Sequence, residues 1–260
     1  MSDKVREKLA HRERTVERRD RMLEHDFSSE RAALEEVFDQ ATLMVIYHFL
    51  SKGVIGEIHG VVSSGKEARV YWGKNNEGVE LAIKVYLTGS AEFRKGMLKY
   101  IEGDQRFKGV KRDTRSLIFT WAQKEFRNLE QATRAKVRVP KPVAVRNNVL
   151  VMEFIGRDGV GAPSMKEQPP KNPEKAYNLL LANLERLYRK AELVHGDLSE
   201  YNIMMWKGRP VIFDVSQAVP TSHPMADFLL RRDLGNINRF FNRLGVKVLS
   251  VEEAYKRVTG

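Results

Sequence analysis

The residues best suited to chemistry lie in one short run, His195-Gly196-Asp197-Leu198-Ser199-Glu200-Tyr201-Asn202, and at Asp214 beyond it. Asn202 enters a short apolar stretch, Ile203–Trp206. Asp214 leaves the next one, Val211–Phe213, and Lys207-Gly208-Arg209-Pro210 joins the two. If these stretches pair as an antiparallel hairpin, the residue entering the first strand and the residue leaving the second fall at the same end. Two oxygen-bearing side chains then converge. That partial donor set suits Mg²⁺, which takes few protein ligands and completes its octahedron with water and phosphate oxygens. Asp197, on the loop leading in, is free to accept a proton from an incoming nucleophile.

A metal with phosphate oxygens calls for a cation on the phosphate side, and Lys84 is the candidate. It sits in Leu81-Ala82-Ile83-Lys84-Val85-Tyr86, a strand apolar enough that a lone lysine needs a partner or a phosphate. The partner expected is a carboxylate on a helix at 115–136, with Glu125 first and Glu130 second. Ser63-Ser64-Gly65-Lys66 forms a turn of small residues between two strands, where backbone N–H groups and hydroxyls can approach phosphates. The extended run Met152-Glu153-Phe154-Ile155-Gly156 can offer backbone groups to an adenine edge or act simply as a connector.

The elements that must position these groups follow from periodicity and punctuation. Residues 1–26 are polar on every face and read as a frayed helix or a disordered arm, and 29–51 as a helix with a broad apolar face. The period then shifts to strands at Val54–Val62, Ala68–Trp72 and Val79–Tyr86, the last two joined as a hairpin by Lys74–Gly78. Residues 88–113, charged and Gly-punctuated, suggest a mobile loop with short helical pieces, and 115–136 a helix. Two strands follow near Val143–Arg146 and Val149–Phe154, then a proline-rich linker, Pro163 to Pro173, and a helix at 174–191. After the hairpin, helices at 223–233, 235–243 and 250–258 close the chain. This predicts an α+β, two-lobed layout, divided as a charged arm and helix (1–53), a β-rich lobe (54–155) and a mostly helical, reduced lobe (156–260).

Composition narrows the function classes. With 260 residues, 42% hydrophobic and 30% charged, the chain reads as an ordinary soluble globular protein without a transmembrane helix. The absence of cysteine excludes disulfide scaffolds, zinc-thiolate sites and thiol catalysis, and suits a reducing compartment such as the cytoplasm. The net charge of +11 is concentrated: Arg94 to Arg146 holds 15 Lys/Arg against 5 Asp/Glu. Such a field suits a polyanionic partner, RNA or a nucleotide phosphate, or simply a solvated basic surface.

Taken together, HGDLSEYN, LAIKVY, SSGKEARVY, IFDVSQAV and SHPMADFLLRRDLGNINRFF resemble the RIO family of atypical protein kinases over roughly residues 45–245. The S-x-G-K-E-A loop and IFDVSQAV resemble its type-one branch, and about 50 residues before the first strand leave no room for the winged helix of the type-two branch. The resemblance implies a bilobal protein-kinase-like fold and ATP with Mg²⁺ or Mn²⁺ as cofactors. It implies Lys84 on the α/β-phosphates, paired with Glu125. Ser63, Ser64 and Lys66 would line the phosphate loop, and Met152, Glu153 and Ile155 the adenine site. Asp197 would be the catalytic carboxylate, and Asn202 and Asp214 the metal ligands, with Asp214 also a transient phosphoryl acceptor. It further implies a role in maturation of the small ribosomal subunit, with pre-ribosomal particles or ribosomal RNA as partners and no membrane. Autophosphorylation at Thr88, Ser90 or Thr114 is a further expectation. No long activation segment and no A-P-E follow Asp214, and Gly196 replaces the Arg of H-R-D, so the peptide platform of ordinary kinases is missing or replaced.

Two other readings share part of this pattern. Aminoglycoside- and choline-type small-molecule kinases also carry H-G-D-x-x-x-x-N, although Val215-Ser216-Gln217 after Asp214 and the basic charge balance differ from theirs. A non-catalytic RNA-binding scaffold is the second, opposed by the intact Lys84, Asp197, Asn202 and Asp214.

Overall fold

A computed structural model describes residues 38–87, 91–109, 111 and 113–260, with the side chains of 91–95 left aside. The N-terminal arm, most of the helix expected over 29–51, and the expected modification sites Thr88 and Ser90 lie outside the described residues. The chain divides between Tyr47 and His48 into two units. Helix α1, Gln40–Ser51, begins in the first, and the second is His48–Gly260.

Five strands form one antiparallel sheet: β1 (Glu57–Ser64), β2 (Ala68–Lys74), β3 (Glu80–Tyr86), β4 (Pro142–Arg146) and β5 (Val149–Glu153), in the order β1-β2-β3-β5-β4. β3 is central and buried from Leu81 to Tyr86, which explains its unbroken apolar character apart from Lys84. Its register sets Lys84 opposite Val70 and Leu150. β1, by contrast, is exposed over most of its length, and its pairing with β2 is irregular at two points before the Ser63–Lys66 turn. The Asn75 side chain, accepting from Glu77 N–H and Val79 N–H, closes the β2–β3 turn.

Between β3 and β4 the structure holds two helices, α2 (Ala91–Ile101) and α3 (Thr114–Arg134). The helix at α2 departs from the loop expected there. Met97, Tyr100 and Ile101 recur at helical spacing and are buried with Leu117 and Trp121 of α3, which outweighs Gly96 and Lys99 on the exposed side. Asp113 caps α3 by accepting from Ser116 N–H at 3.0 Å, and Thr114 opens the helix.

The linker after β5 leads through the short pair β6 (Gly156–Arg157) and β7 (Val160–Gly161) to α4 (Pro173–Arg189), which takes its first residue from the proline-rich stretch. Next come β8 (Leu193–Val194), the hairpin β9 (Ile203–Trp206) and β10 (Arg209–Ile212), and β11 (Val219–Pro220), which pairs with β8. One continuous helix, α5 (Ala226–Arg243), replaces the two expected at 223–243. Leu234, between the two expected segments, and Ile237 are fully buried on one face, and Gly235 lies inside the helix. α6 (Val251–Thr259) starts from a capping box between Ser250 and Glu253. Among the described residues no helix is long and apolar enough to cross a membrane.

Candidate active site

Lys84 emerges from β3 with 9% of its surface exposed, and its ammonium meets two carboxylates. Nζ lies 2.9 Å from Glu125 Oε2 and 2.9 Å from Asp214 Oδ1. α3 supplies Glu125, 1% exposed, and Glu130 instead pairs with Arg134 on the same helix at 3.4 Å. The Tyr86 hydroxyl donates to Glu125 Oε2, and the Tyr86 ring lies 5.1 Å from Nζ. Burial works against the Lys84 charge, but Asp214 and Glu125 outweigh it and hold the ammonium well above the ordinary lysine range. Burial raises Glu125; Lys84 opposes this and Asp214 adds to it, leaving the carboxyl pushed up to about 7. Burial likewise raises Asp214, but the ion pair with Lys84 and the Ser216 hydroxyl at 3.1 Å win, so its carboxyl is lowered. One ammonium therefore keeps Asp214 ionised and leaves Glu125 the softer partner.

The β9–β10 hairpin brings the second half of the site together. Ile203 faces Ile212, and one step further Phe213 N–H donates to Asn202 C=O at 3.1 Å, so Asn202 and Asp214 lie at one end. Asp214 adopts the left-handed conformation, φ 55° and ψ 58°, uncommon for a residue with a Cβ and a form of strain that clusters at functional sites. Asn202 Nδ2 donates to Asp197 C=O at 2.8 Å, which leaves its Oδ1 as an acceptor. Gln217 Nε2 donates to Asp197 Oδ2 at 3.3 Å. Asp197 is exposed as a residue, yet the protein around its carboxyl raises it above the ordinary range, against the pull of His195 and Arg232. His195 is buried; its Nδ1 accepts from Asp197 N–H at 3.2 Å, so the proton sits on Nε2, which donates to Phe213 C=O at 3.1 Å. Gly196 has φ +79°, and a Cβ there would meet Gln217 C=O at 3.1 Å. A side chain at this position would therefore be strained by the left-handed backbone and crowded against that carbonyl, which disfavours the arginine of H-R-D.

Ser63, Ser64 and Lys66 sit exposed on the β1–β2 turn, tied by Gly65 N–H to Ala68 C=O at 3.0 Å. The described hydrogen bonds do not join them to the Lys84 cluster. Their neighbour Glu67 does face it: burial raises its carboxyl and Asp214 adds to this. Met152, near the end of β5, pairs with Ala82 of β3. Glu153 N–H is taken by Lys141 C=O at 2.8 Å, and Ile155 C=O by Ala162 N–H at 2.8 Å.

Several positioning residues escaped the sequence reading. Asp233, 1% exposed on α5, accepts from Gly196 N–H at 2.8 Å and Leu198 N–H at 2.9 Å, and so pins the loop that carries Asp197. Arg232 donates to Gly196 C=O, and Asn236 to Leu198 C=O at 3.1 Å. Lys124, fully buried on α3 beside Glu125, donates to Ser216 C=O at 3.1 Å and to Ala218 C=O. Asn128, one turn on, donates to Val215 C=O at 2.8 Å. The signal that could have found Asp233 is an acid at helical spacing from the apolar Leu229, Leu230, Leu234 and Ile237.

The sequence profile described as the RIO domain matches residues 69–254. The chain belongs to the RIO family. It is 42% identical over 226 residues to the RIO-type serine/threonine-protein kinase Rio1 of Haloferax volcanii, covering 87% of this chain and 77% of that protein. Against Rio1 of Methanocaldococcus jannaschii the identity is 41%, covering 91% and 80%. Against the human serine/threonine-protein kinase RIO1 it is 40%, covering 89% of this chain but 41% of that longer protein. These Rio1 relatives agree with the type-one resemblance. Among solved structures, the Rio2 kinase-ADP/Mg²⁺-phosphoaspartate complex of Chaetomium thermophilum superposes with a TM-score of 0.63 at 22% identity, covering 84% of this chain and 66% of that one. The fold is the bilobal, kinase-like α+β arrangement expected from the sequence.

Proposed function

We propose that this chain binds MgATP between the sheet and the helical region, and acts as a RIO-type serine kinase and ATPase in maturation of the small ribosomal subunit in the cytoplasm. The observation that carries the chemistry is Lys84 held between Glu125 and Asp214, with Asp197 and Asn202 at the same end of the hairpin. On this reading 54–155 is the lobe that covers the nucleotide, 156–260 the lobe that carries the catalytic loop, and 1–53 an appended arm and helix. Lys84 binds the α/β-phosphates, and Ser63, Ser64 and Lys66 contact them from the turn. The linker presents Glu153 C=O and Ile155 N–H to the adenine edge, beside Met152.

Asn202 Oδ1 and the Asp214 carboxylate, whose side chain is 41% exposed in the cleft, are hard oxygen donors that fit Mg²⁺ or Mn²⁺. The ion would neutralise the charge on the transferring phosphoryl group. Asp197 takes the proton of an attacking hydroxyl. In the ATPase branch an Asp214 oxygen attacks the γ-phosphorus and the bond to the ADP oxygen breaks; water then hydrolyses the acyl phosphate. The phosphoaspartate of the Rio2 neighbour supports that branch by likeness of fold.

Incubation with γ-labelled ATP and Mg²⁺, followed by splitting the sample between acid and hydroxylamine, tests both branches. Asp197→Ala is expected to lose turnover by about a hundredfold or more while nucleotide binding survives, and unchanged turnover would sink the proposal. Acid-stable label on Ser or Thr supports the kinase branch. A hydroxylamine-labile adduct absent from Asp214→Asn supports the acyl-phosphate branch. Turnover driven by aminoglycosides or amino alcohols would favour a small-molecule kinase instead.

A further inference from the structure

The basic stretch from Arg94 to Arg146 does not stay together in three dimensions. Lys124 is buried against carbonyls, Arg106 is paired with Asp104 at 2.7 Å, and Arg134 with Glu130. Three of its cations, Lys136, Arg138 and Lys141, instead meet Arg186 of α4 and Lys207 and Arg209 of the β9–β10 turn around one cavity of about 570 Å³. This cavity lies at the end of the hairpin opposite Asn202 and Asp214, a strand of four residues away, or about 13 Å at the usual rise.

Like charges collected in one concavity repel one another unless an anion joins them. Among the described residues none of the six forms an ion pair with a carboxylate. The acid in the lining, Glu153, has its Oε2 engaged by Lys141 N–H at 3.2 Å. Arg138 is fixed in the wall by donation to Trp206 C=O at 3.3 Å, while its Nε is buried with no acceptor. Trp206, also in the lining, carries Lys207 Nζ 5.5 Å from its ring centre.

We propose that this groove binds the sugar-phosphate backbone of single-stranded RNA, with the guanidinium and ammonium groups on successive phosphates and Trp206 under a base. An acidic peptide would satisfy the cations but leave the face of the indole away from Lys207 unused, whereas cations beside an aromatic face are the general device for single strands. The ligand class is that of the RNA partner the family resemblance implies. Glu153 and Ile155, proposed above for the adenine edge, also line this groove, so RNA binding is measured without nucleotide and ATP turnover separately, and a failure of either proposal shows by itself.

The test is fluorescence anisotropy of a labelled oligouridylate with the full chain across a salt series. Lys207→Glu/Arg209→Glu alters two exposed turn residues outside the catalytic machinery, so ATP turnover and circular dichroism stay unchanged. Affinity is expected to fall by about tenfold or more, and the slope of log affinity against log salt by about 1.4 for two lost phosphate contacts. Trp206→Ala is expected to weaken binding by about tenfold with little change in slope. The matched control, Lys247→Glu/Lys256→Glu at two exposed residues outside the groove lining, is expected to change little. Equal weakening by control and groove variants would mean diffuse attraction and overturn the proposal. So would no weakening by either, or competition by polyglutamate as effective as by unlabelled RNA, which would reassign the groove to an acidic protein segment.

Discussion

Lys84 and Lys124 are both buried, on neighbouring elements of one cluster, and they meet opposite surroundings. Lys84 lies between two carboxylates, each 2.9 Å away, and stays charged. Lys124 faces the carbonyls of Ser216 and Ala218, and burial, only partly offset by Asp104, pushes it down to about 7. A carbonyl dipole compensates a buried ammonium far less than a carboxylate does. The first lysine therefore carries charge to the cleft. The second acts as a hydrogen-bonding strut, tying the helix of Glu125 to the turn that follows Asp214. Asn128 makes the same tie from one turn further along α3, donating to Val215 and Ala218. Through these contacts the two carboxylates that flank Lys84 belong to one braced unit.

The largest expected effect comes from Lys84→Met. It removes the cation from between Glu125 and Asp214, and ATP turnover should fall by a factor on the order of 10²–10³, as for loss of a preorganised electrostatic group. Adding Glu125→Gln should recover part of any lost thermal stability but no turnover, because the double variant removes the stranded buried carboxylate without restoring the cation. Equal melting temperatures for the single and double variants would mean that Glu125 is already neutral and that the contrast rests on Asp214 alone.

Lys124→Met should act more weakly and on a different quantity. It leaves Ser216 C=O without the ammonium, while Asn128 still donates to Ala218 C=O at 3.1 Å, so the cost is about 1–3 kcal/mol. Thermal unfolding should fall by several degrees, at about 2–4 °C per kcal/mol for a chain of this size. Turnover should drop on the order of tenfold, less than for Lys84→Met, through looser placement of Asp214. Losses in turnover equal to those of Lys84→Met would show that Lys124 contributes charge as well as position.

Much of the cleft was legible because its residues serve local rules. An Asn entering one strand and an Asp leaving its partner must converge, and a lysine in a strand as apolar as β3 needs a partner. The braces were legible at most as buried polar residues, as Asp233 is by its spacing from apolar neighbours, and their partners were not. Asp233, Lys124 and Asn128 work through backbone groups more than thirty positions away, and spacing within their own helices says nothing of a carbonyl or N–H supplied by another element. Helix α2 is not legible from its own residues because its burial depends on α3, and the continuity of α5 through residue 234 depends on the burial of Leu234 and Ile237 against the core. The basic run misled in the opposite sense, since a linear count cannot tell Lys124, buried, from Lys136, at the rim of a groove.

The smallest effect separates the two lysines most directly. Lys124 has a folded pKa lowered from 10.5 to about 7, so between those values the unfolded chain binds more protons than the folded one. Stability from this group therefore grows as pH rises through that window, and below about 7 the full penalty of burying the ammonium remains. The slope cannot exceed about 1.4 kcal/mol per pH unit. Melting temperatures of the natural chain and of Lys124→Met, measured from pH 6.5 to 9, should diverge in favour of the natural chain as pH rises, by a few degrees per unit at most. Lys84, whose pKa is raised, contributes no such gain over this range, because it stays protonated in both folded and unfolded chains until higher pH. A difference between the two proteins that stays flat with pH would mean that Lys124 remains an ammonium against its carbonyls, and the contrast with Lys84 would then be one of partners and not of charge.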